Sequence, residues 1–326
     1  MSHLNRVYDD VFGLLPSVDN PTPLVCIRRL NPAPDFKLYA KLEWYNPFGS
    51  VKDRAAWAML RRLEEEGKVG GGRNLVEATS GNTGISIAAM ASARGYKLRA
   101  IVPNGIPGEK KTLLKIAGAD LEVLNDQLCP APGLGEGSIN RAKSHAKASP
   151  KEYVMPNQYE NQDNVNAHFA TTGPEIWNQT GGRVTHFFAA LGTCGTITGT
   201  GRFLKSKNPA IRVIAVVPSE GHDIPGLRNV AQLEMTNLYD SSVVDEVMEI
   251  EYELAYERAL DLSRQEGLLA GPSSGLIFEG ACREVLKAKK GVGVMIFPDN
   301  IFKYPSNMRK HHPELESEGN GFFPTP

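Results

Sequence analysis

Four short stretches of the 326-residue chain carry residues whose types and spacing can do chemistry. In NPFGSVKDR, Asn46 to Arg54, Lys52 falls in the first turn of a run, DRAAWAMLRRLEEEGKV, that reads as a helix. The positive end of the helix dipole is the least favourable place for an ammonium group. Its effect is about 0.3–1 kcal/mol, under one pKa unit, so the field assists the neutral, nucleophilic amine without producing it. In EATSGNTGIS, Thr79, Ser80, Gly81, Asn82, Thr83 and Gly84 leave a strand and open a helix. Such a turn aims backbone N–H groups and hydroxyls at a carboxylate or phosphate. Plain N-capping by Ser80 or Thr83 needs one hydroxyl, and the polar and glycine run exceeds that need. In AALGTCGTITGTG, residues 189–201, Gly192, Thr193, Gly195 and Thr196 form a second anion cradle. It lacks the Lys-Ser/Thr ending of a P-loop and the GxGxxG spacing, so nucleotide is not indicated, and a close-packing glycine turn is the alternative. The fourth stretch, LLAGPSSGLIFEGA, places Gly271, Ser273, Ser274 and Gly275 at a turn, a weak signal by itself.

A lysine, two anion cradles and a hydroxyl turn suit one ligand, pyridoxal phosphate carrying an amino acid. The lysine forms a Schiff base, one glycine turn holds the phosphate and the other takes the substrate carboxylate. Burial and neighbouring groups must supply the rest of the lysine's activation.

These residues need elements to position them. Runs rich in branched residues alternate with amphipathic stretches: NLVEAT then GISIAAMASARGY, LRAIVP then GEKKTLLKIAGA, then LEVL, VTHFFAALG, RVIAVVP and VGVMIFPD. Strand and helix at this spacing predict an α/β fold with mainly parallel sheets covered on both faces. Ligands in such sheets bind beyond the carboxyl ends of strands, where the glycine turns fall. LCPAPGLGEGS, residues 128–138, predicts a surface loop, and the proline-broken segment after Tyr304 predicts a loosely held tail with His311 and His312 as solvated surface.

With 36 Lys and Arg against 37 Asp and Glu, the formal charge of -1 gives no reason to expect nucleic acid or an anionic membrane as partner. No window approaches the ~18 uninterrupted apolar residues of a membrane span, and the first ten residues do not read as a signal peptide, which predicts a cytoplasmic protein. Cys26, Cys129, Cys194 and Cys282 are far apart, without a CxxC pair, and predict free thiols; no metal site is expected.

On NPFGSVKDR, TSGNTG, NQYENQDNVNAHFATTGPEIW, GTCGTITG, GPSSG and FPDNIFKY, in that order from about residue 21 to Tyr304, the chain resembles the cysteine synthase and cystathionine β-synthase family of pyridoxal phosphate enzymes. The resemblance implies the tryptophan synthase β-like fold of two three-layer α/β/α subdomains, a small mobile one at 41–154 and a large cofactor-binding one at 1–40 and 155–326, in a homodimer. It implies Lys52 as Schiff-base lysine and general base, and Asn82 as partner of the cofactor's phenolic oxygen. Thr79, Ser80, Thr83 and Gln158, with the intervening Gly81, would hold the substrate carboxylate. Gly192, Thr193, Cys194, Gly195 and Thr196 would hold the phosphate, and Ser273 would face the pyridine nitrogen. A hydroxyl there makes a milder electron sink than a carboxylate would, which favours loss of a β substituent over transamination. The implied reaction is β-replacement on an activated serine, O-acetylserine or O-phosphoserine, through an α-aminoacrylate that takes up sulfide to give L-cysteine. Another nucleophile, as in a cystathionine or diaminopropionate-type synthase, or a serine/threonine dehydratase on the same cofactor, is the alternative.

Three positions depart from the family pattern. Cys194 stands where relatives usually carry Gly or Thr, and Phe48 replaces a small or hydroxyl residue. Ser219 falls where the O-phosphoserine-using branch has its phosphate-binding arginine. Arg228 and Lys303 are the other cations at hand, each with a solvated or ion-paired role as its plain reading.

Overall fold

The computed structural model of the chain describes residues 7–79, 81–125 and 137–316. Ser80, Cys129 and residues 128–136 of the expected surface loop lie outside them. In chain order the first elements are β1 (Leu24–Cys26), β2 (Phe36–Leu42), α1 (Lys52–Glu65), β3 (Asn74–Ala78), α2 (Asn82–Ala93), β4 (Leu98–Pro103), α3 (Gly108–Ile116), β5 (Ala119–Leu124), α4 (Gly137–Ala148) and β6 (Tyr153–Val154). There follow α5 (Gln162–Ala170), α6 (Thr172–Gln179), β7 (His186–Ala190), α7 (Gly195–Lys207), β8 (Arg212–Pro218), β9 (Glu246–Ile250), α8 (Tyr252–Asp261), α9 (Pro272–Ala288), β10 (Gly291–Phe297) and α10 (Pro305–His311).

Two sheets form among the described residues. One runs β1-β2-β10-β7-β8-β9 and the other β5-β4-β3-β6. Only the β1/β2 pair is antiparallel. The larger sheet is buried on both faces, as the continuous apolar runs of β7, β8 and β10 require. Phe188 and Met295, paired in register, face a core shared with Tyr256, Leu276 and Phe278. Their chain neighbours Phe187 and Val294 point the other way, toward Ile176, Ile197 and Leu204. The smaller sheet repeats the pattern. Leu75 and Ala100 pack with Leu60, Ile87 and Leu114, while Val76 and Ile101 pack with Ile139 and Ala142. Each sheet is thus the middle of three layers, the α/β/α architecture expected from the sequence.

The start of α1 is fixed by a buried ionic network. Arg54, two residues past Lys52, bonds Glu43 at 2.7 Å and Glu175 at 2.6 Å, and Lys41 bonds Glu175 at 2.8 Å. All four side chains are essentially sealed from water. Such a network adds little over an apolar core, but it is costly to break once formed. It therefore ties β2, α1 and α6 into one arrangement.

Residues 305–316 correct the expectation of a loosely held tail, and residues 317–326 of that tail lie outside the described ones. Residues 305–311 form α10, capped on the apolar side by buried Met308. His311 stacks on Tyr256 with ring centroids 3.8 Å apart and contacts Asp223 at 3.0 Å. His312 is buried rather than solvated. The prolines that suggested a broken tail instead start α10 and the turn after it, where proline at the first helical position costs no hydrogen bond.

Candidate active site

Lys52 is the first residue of α1, as its place in the sequence predicted. The preceding Val51 N–H bonds Pro298 O at 2.9 Å, hooking this end of the helix to the strand end of β10. Burial is the main cause that lowers the Lys52 pKa, against weaker opposing pulls from Cys194 and Asp299. Lys52 Nζ makes no hydrogen bond among the described residues. A Cβ added to Gly192 would come within 2.7 Å of the Gly226 carbonyl oxygen, so the close backbone approach requires glycine, and Lys52 Nζ would lie at ordinary contact, 3.9 Å away.

The turn after β3 is built around Thr79. Its Oγ1 accepts from Gly81 N at 3.2 Å and Gly84 N at 3.0 Å, which orders the loop into the start of α2. Thr83 donates to Gln158 Oε1 at 2.6 Å, and Gln158 Nε2 donates to Ala78 O at 2.8 Å. Beneath them Glu77 is sealed, and burial raises its pKa to about 8 although Ala78 and Gln158 N–H groups donate to it.

The turn after β7 leads into α7 through Cys194, which adopts a left-handed φ of 69°. That conformation costs a non-glycine residue roughly 1–2 kcal/mol. Gly195 cannot carry a side chain, since a Cβ would overlap the Asn164 amide. Asn164 in turn donates to Thr193 Oγ1 at 2.9 Å and Gln158 O at 2.8 Å, linking the two turns. Thr196 Oγ1 lies 3.2 Å from His168 Nε2, and His168 Nδ1 lies 2.9 Å from Thr172 Oγ1. Burial holds His168 down at about 3, so its ring is neutral.

One pocket collects Lys52, Thr79, Gly81, Asn82, Thr83, Gln158, Gly192, Thr193, Thr196 and Ser273 on its wall. Cys194 and Gly195 stand behind that wall at the start of α7. Ser80 lies outside the described residues. Burial lifts the Cys194 thiol to about 12, which makes it an inert packing group at neutral pH. Phe48 packs at the edge of the small-sheet core, and its N–H donates to Asp53 at 2.7 Å.

Asp299 and Tyr304 were given no role by the sequence, and Lys303, Arg228 and Ser219 take places it did not settle. Asp299 accepts from Asn82 Nδ2 at 2.7 Å and from Tyr304 Oη at 2.5 Å. Lys303 is half-buried and makes no ion pair among the described residues; its ammonium donates to Gly49 O at 2.8 Å and Asn82 Oδ1 at 3.0 Å. Arg228 is buried and lines the pocket, whereas Ser219 is turned to the Tyr252 N–H at 3.2 Å. The segment FPDNIFKY was the visible signal for Asp299, Lys303 and Tyr304, but nothing in it showed that they meet Asn82. Among the described residues no group of three His, Cys, Asp or Glu could hold a metal ion, and no helix is long and apolar enough to cross a membrane.

A desolvated amine without a hydrogen-bonding partner, set between two turns that accept anions, fits a phosphorylated aldehyde. The glycine at 192 and the small residues through Thr196 leave space at the amino end of α7 for a phosphate, and Ser273 brings a hydroxyl to the pocket from α9. Fold and site together define an enzyme that carries such a cofactor on a lysine. The chain belongs to the pyridoxal-phosphate dependent enzyme family, whose sequence profile matches residues 17–299. It is 38% identical over 285 residues to cysteine synthase B of Salmonella typhimurium, an alignment covering 87% of this chain and 92% of that one. Among solved structures it is similar to O-acetyl serine sulfhydrylase isoform 3 from Entamoeba histolytica, with a TM-score of 0.83, 29% identity, and coverage of 98% and 96% of the two chains. It is also similar to O-ureido-L-serine synthase, with a TM-score of 0.84, 28% identity, and coverage of 96% and 98%. The family resemblance and the cofactor expected from the sequence are both borne out.

Proposed function

We propose that this protein replaces the β substituent of an activated serine, O-acetylserine or O-phosphoserine, with sulfide and so forms L-cysteine. The observation that carries the reading is that Lys52 lines one pocket together with Thr79, Gly81, Asn82 and Thr83 from the first turn and Gly192, Thr193 and Thr196 from the second. The cofactor, attached at Lys52, supplies an electron sink that acidifies the α-carbon of the bound amino acid. Once the amino group of the substrate has displaced it from the cofactor, Lys52 would be a free amine able to take the α-proton, a task suited to a group whose pKa is lowered by burial. Thr79, Gly81 and Thr83, with Ser80 between them in sequence, and Gln158 bind the substrate carboxylate. Gly192, Thr193, Cys194, Gly195 and Thr196 hold the phosphate, chiefly through backbone N–H groups at the start of α7. Asn82, itself held by Asp299 and Lys303, would orient the cofactor ring, and Ser273 would face its nitrogen. Residues 41–154 act as the smaller subdomain that closes over the carboxylate turn and excludes water. The protein works as a homodimer in the cytoplasm.

The similarity to O-ureido-L-serine synthase favours one second reading, in which a different small nucleophile enters the same site. The test is the visible spectrum of the purified holoenzyme with O-acetylserine, O-phosphoserine and serine in separate cuvettes. One donor is expected to shift the cofactor band, and sulfide to restore it with release of cysteine. Lys52→Ala should lose both the lysine-bound band and turnover. A band that no donor moves refutes the reading, and keto acid released at the same rate with or without sulfide identifies a dehydratase.

A further inference from the structure

Lys110, in the first turn of α3, is a pocket cation that the proposed chemistry leaves unused. Its side chain is only 4% exposed, yet it lines the pocket. The ammonium lies 4.4 Å from the centroid of the Tyr304 ring, and it makes no hydrogen bond or ion pair among the described residues. A Cβ placed on Gly81 would be 3.6 Å from Lys110 Nζ, so the charge faces the backbone at the amino end of α2. A buried ammonium without an anionic partner is costly, which makes a bound anion its natural partner. The adjacent carboxylates do not fill that role. Glu109 is turned to the Ser306 N–H at 3.2 Å and Ser306 Oγ at 3.0 Å; Asp299 is the strongest opposing charge near Lys110, but its Oδ2 is taken by Asn82 and Tyr304, and its buried Oδ1 makes no hydrogen bond or ion pair with the ammonium.

We propose that Lys110 receives the α-carboxylate of the amino-acid substrate at the turn after β3, adding a cation to the backbone and hydroxyl donors of that turn. The inference rests on the functional reading above, which brings an amino-acid carboxylate to residues 79–84. It makes Lys110 a substrate-binding residue that selects a free carboxylate over an ester or amide. Two independent features meet here: the amino end of α2, which favours an anion, and a buried, unpaired ammonium aimed at it.

The surrounding charges set the pH response. Burial, opposed by Asp299 and Glu109 and reinforced by Lys303, lowers the Lys110 pKa to about 8. Lys52 and Lys303 are lowered as well, and Tyr304 is raised, so it stays neutral. Lys110 is therefore mostly charged at pH 7 and loses its charge as the pH rises through 8.

The experiment titrates the holoenzyme with L-methionine, which has no leaving group, and with L-aspartate, reading the cofactor band to obtain Kd. Lys110→Met is expected to weaken L-methionine binding by about 10- to 100-fold, the scale of a lost charged hydrogen bond, with cofactor content and resting spectrum unchanged. Lys110→Arg is expected to keep the affinity and to lose the weakening between pH 7 and 9 that the parent shows. The amino group of L-methionine titrates in the opposite sense and equally in both proteins, so it cancels in the comparison. A Kd for Lys110→Met within twofold of the parent overturns the inference. So does a loss confined to L-aspartate, which would assign Lys110 to the side chain of the substrate. Should Lys110→Met fail to fold, the same pH limb persisting in Lys110→Arg overturns it. A parent holoenzyme that responds to no amino acid refutes the functional reading itself, and Lys110 falls with it.

Discussion

Gly195→Ala offers a direct probe of how the two anion-binding turns are joined. The glycine starts α7, and a methyl group there overlaps the side-chain amide of Asn164. Asn164 is 2% exposed and holds both Thr193 Oγ1 and Gln158 O. Pushing it aside forfeits two hydrogen bonds, about 0.5–1.5 kcal/mol each, and leaves a buried amide poorly satisfied at about 1–3 kcal/mol. Alanine returns about 1 kcal/mol through its better helix propensity. The opposing effects leave a net loss of about 2–4 kcal/mol, measurable by urea denaturation of the holoenzyme. Displacing Thr193 should also weaken the cofactor by about tenfold, the equivalent of one hydrogen bond.

Asn164→Ala supplies the control. With the amide gone, the three atoms that a methyl group at 195 would meet first are removed, and Gly195→Ala in that background should be neutral or stabilising by about 1 kcal/mol. The two substitutions are thus expected to be strongly non-additive. An equal cost of Gly195→Ala in both backgrounds would refute the steric account, and no cost in the parent would refute the role of Asn164 as the link.

Three further expectations follow from buried groups. Glu175→Ala strands Arg54 and Lys41 without their shared partner, so it should cost about 3–5 kcal/mol in denaturant, and a loss under about 1 kcal/mol would contradict the network. Glu77 has a folded pKa of about 8, above its ordinary value of 4.5, so its contribution is whole below pH 4.5 and is lost as the pH rises through 8. Glu77→Gln should accordingly be more stable than the parent by a few kcal/mol at pH 8–9, with the gap closing toward pH 4.5 in thermal melts; a gap that is independent of pH would overturn this. Cys194 and Cys282, both raised to about 12 by burial, should resist alkylation at pH 8 in the native holoenzyme and react after unfolding. Rapid native labelling of Cys194 would contradict its burial.

The strands legible in the sequence are those with a continuous or near-continuous apolar run, buried on both faces in all but the half-exposed edge strand β5. β3, β4, β5, β7, β8 and β10 fall on the runs NLVEAT, LRAIVP, LEVL, VTHFFAALG, RVIAVVP and VGVMIFPD. β2 was missed because FKLYAKL carries two lysines, and only the folded chain shows that Lys41 is sealed against Glu175, a partner 134 positions away. β6 and β9 were missed for other reasons. The first has two residues, and the second alternates burial with charged positions near a sheet edge.

The same distinction separates the anion turns from the residues that support them. Thr79, Asn82, Thr83, Gly192, Thr193 and Thr196 announce themselves because an anion-binding turn is local, made of a few consecutive backbone N–H groups and hydroxyls at one helix start. Asn82 meets Asp299 across 217 positions and Lys303 across 221, and neither partner has a local reason to be acidic or basic. Lys110 is harder still to see. It occupies an amphipathic helix where lysine is commonplace, and its distinction is entirely one of place: the side chain points into the pocket and leaves its charge without a partner. The chemistry written in the turns selects the cofactor class, and the long-range contacts around them decide how the bound amino acid is held. The grip on the amino-acid backbone is therefore to be sought at long-range residues such as Lys110, and the choice among side chains at other pocket residues such as Arg228, more than in the motifs themselves.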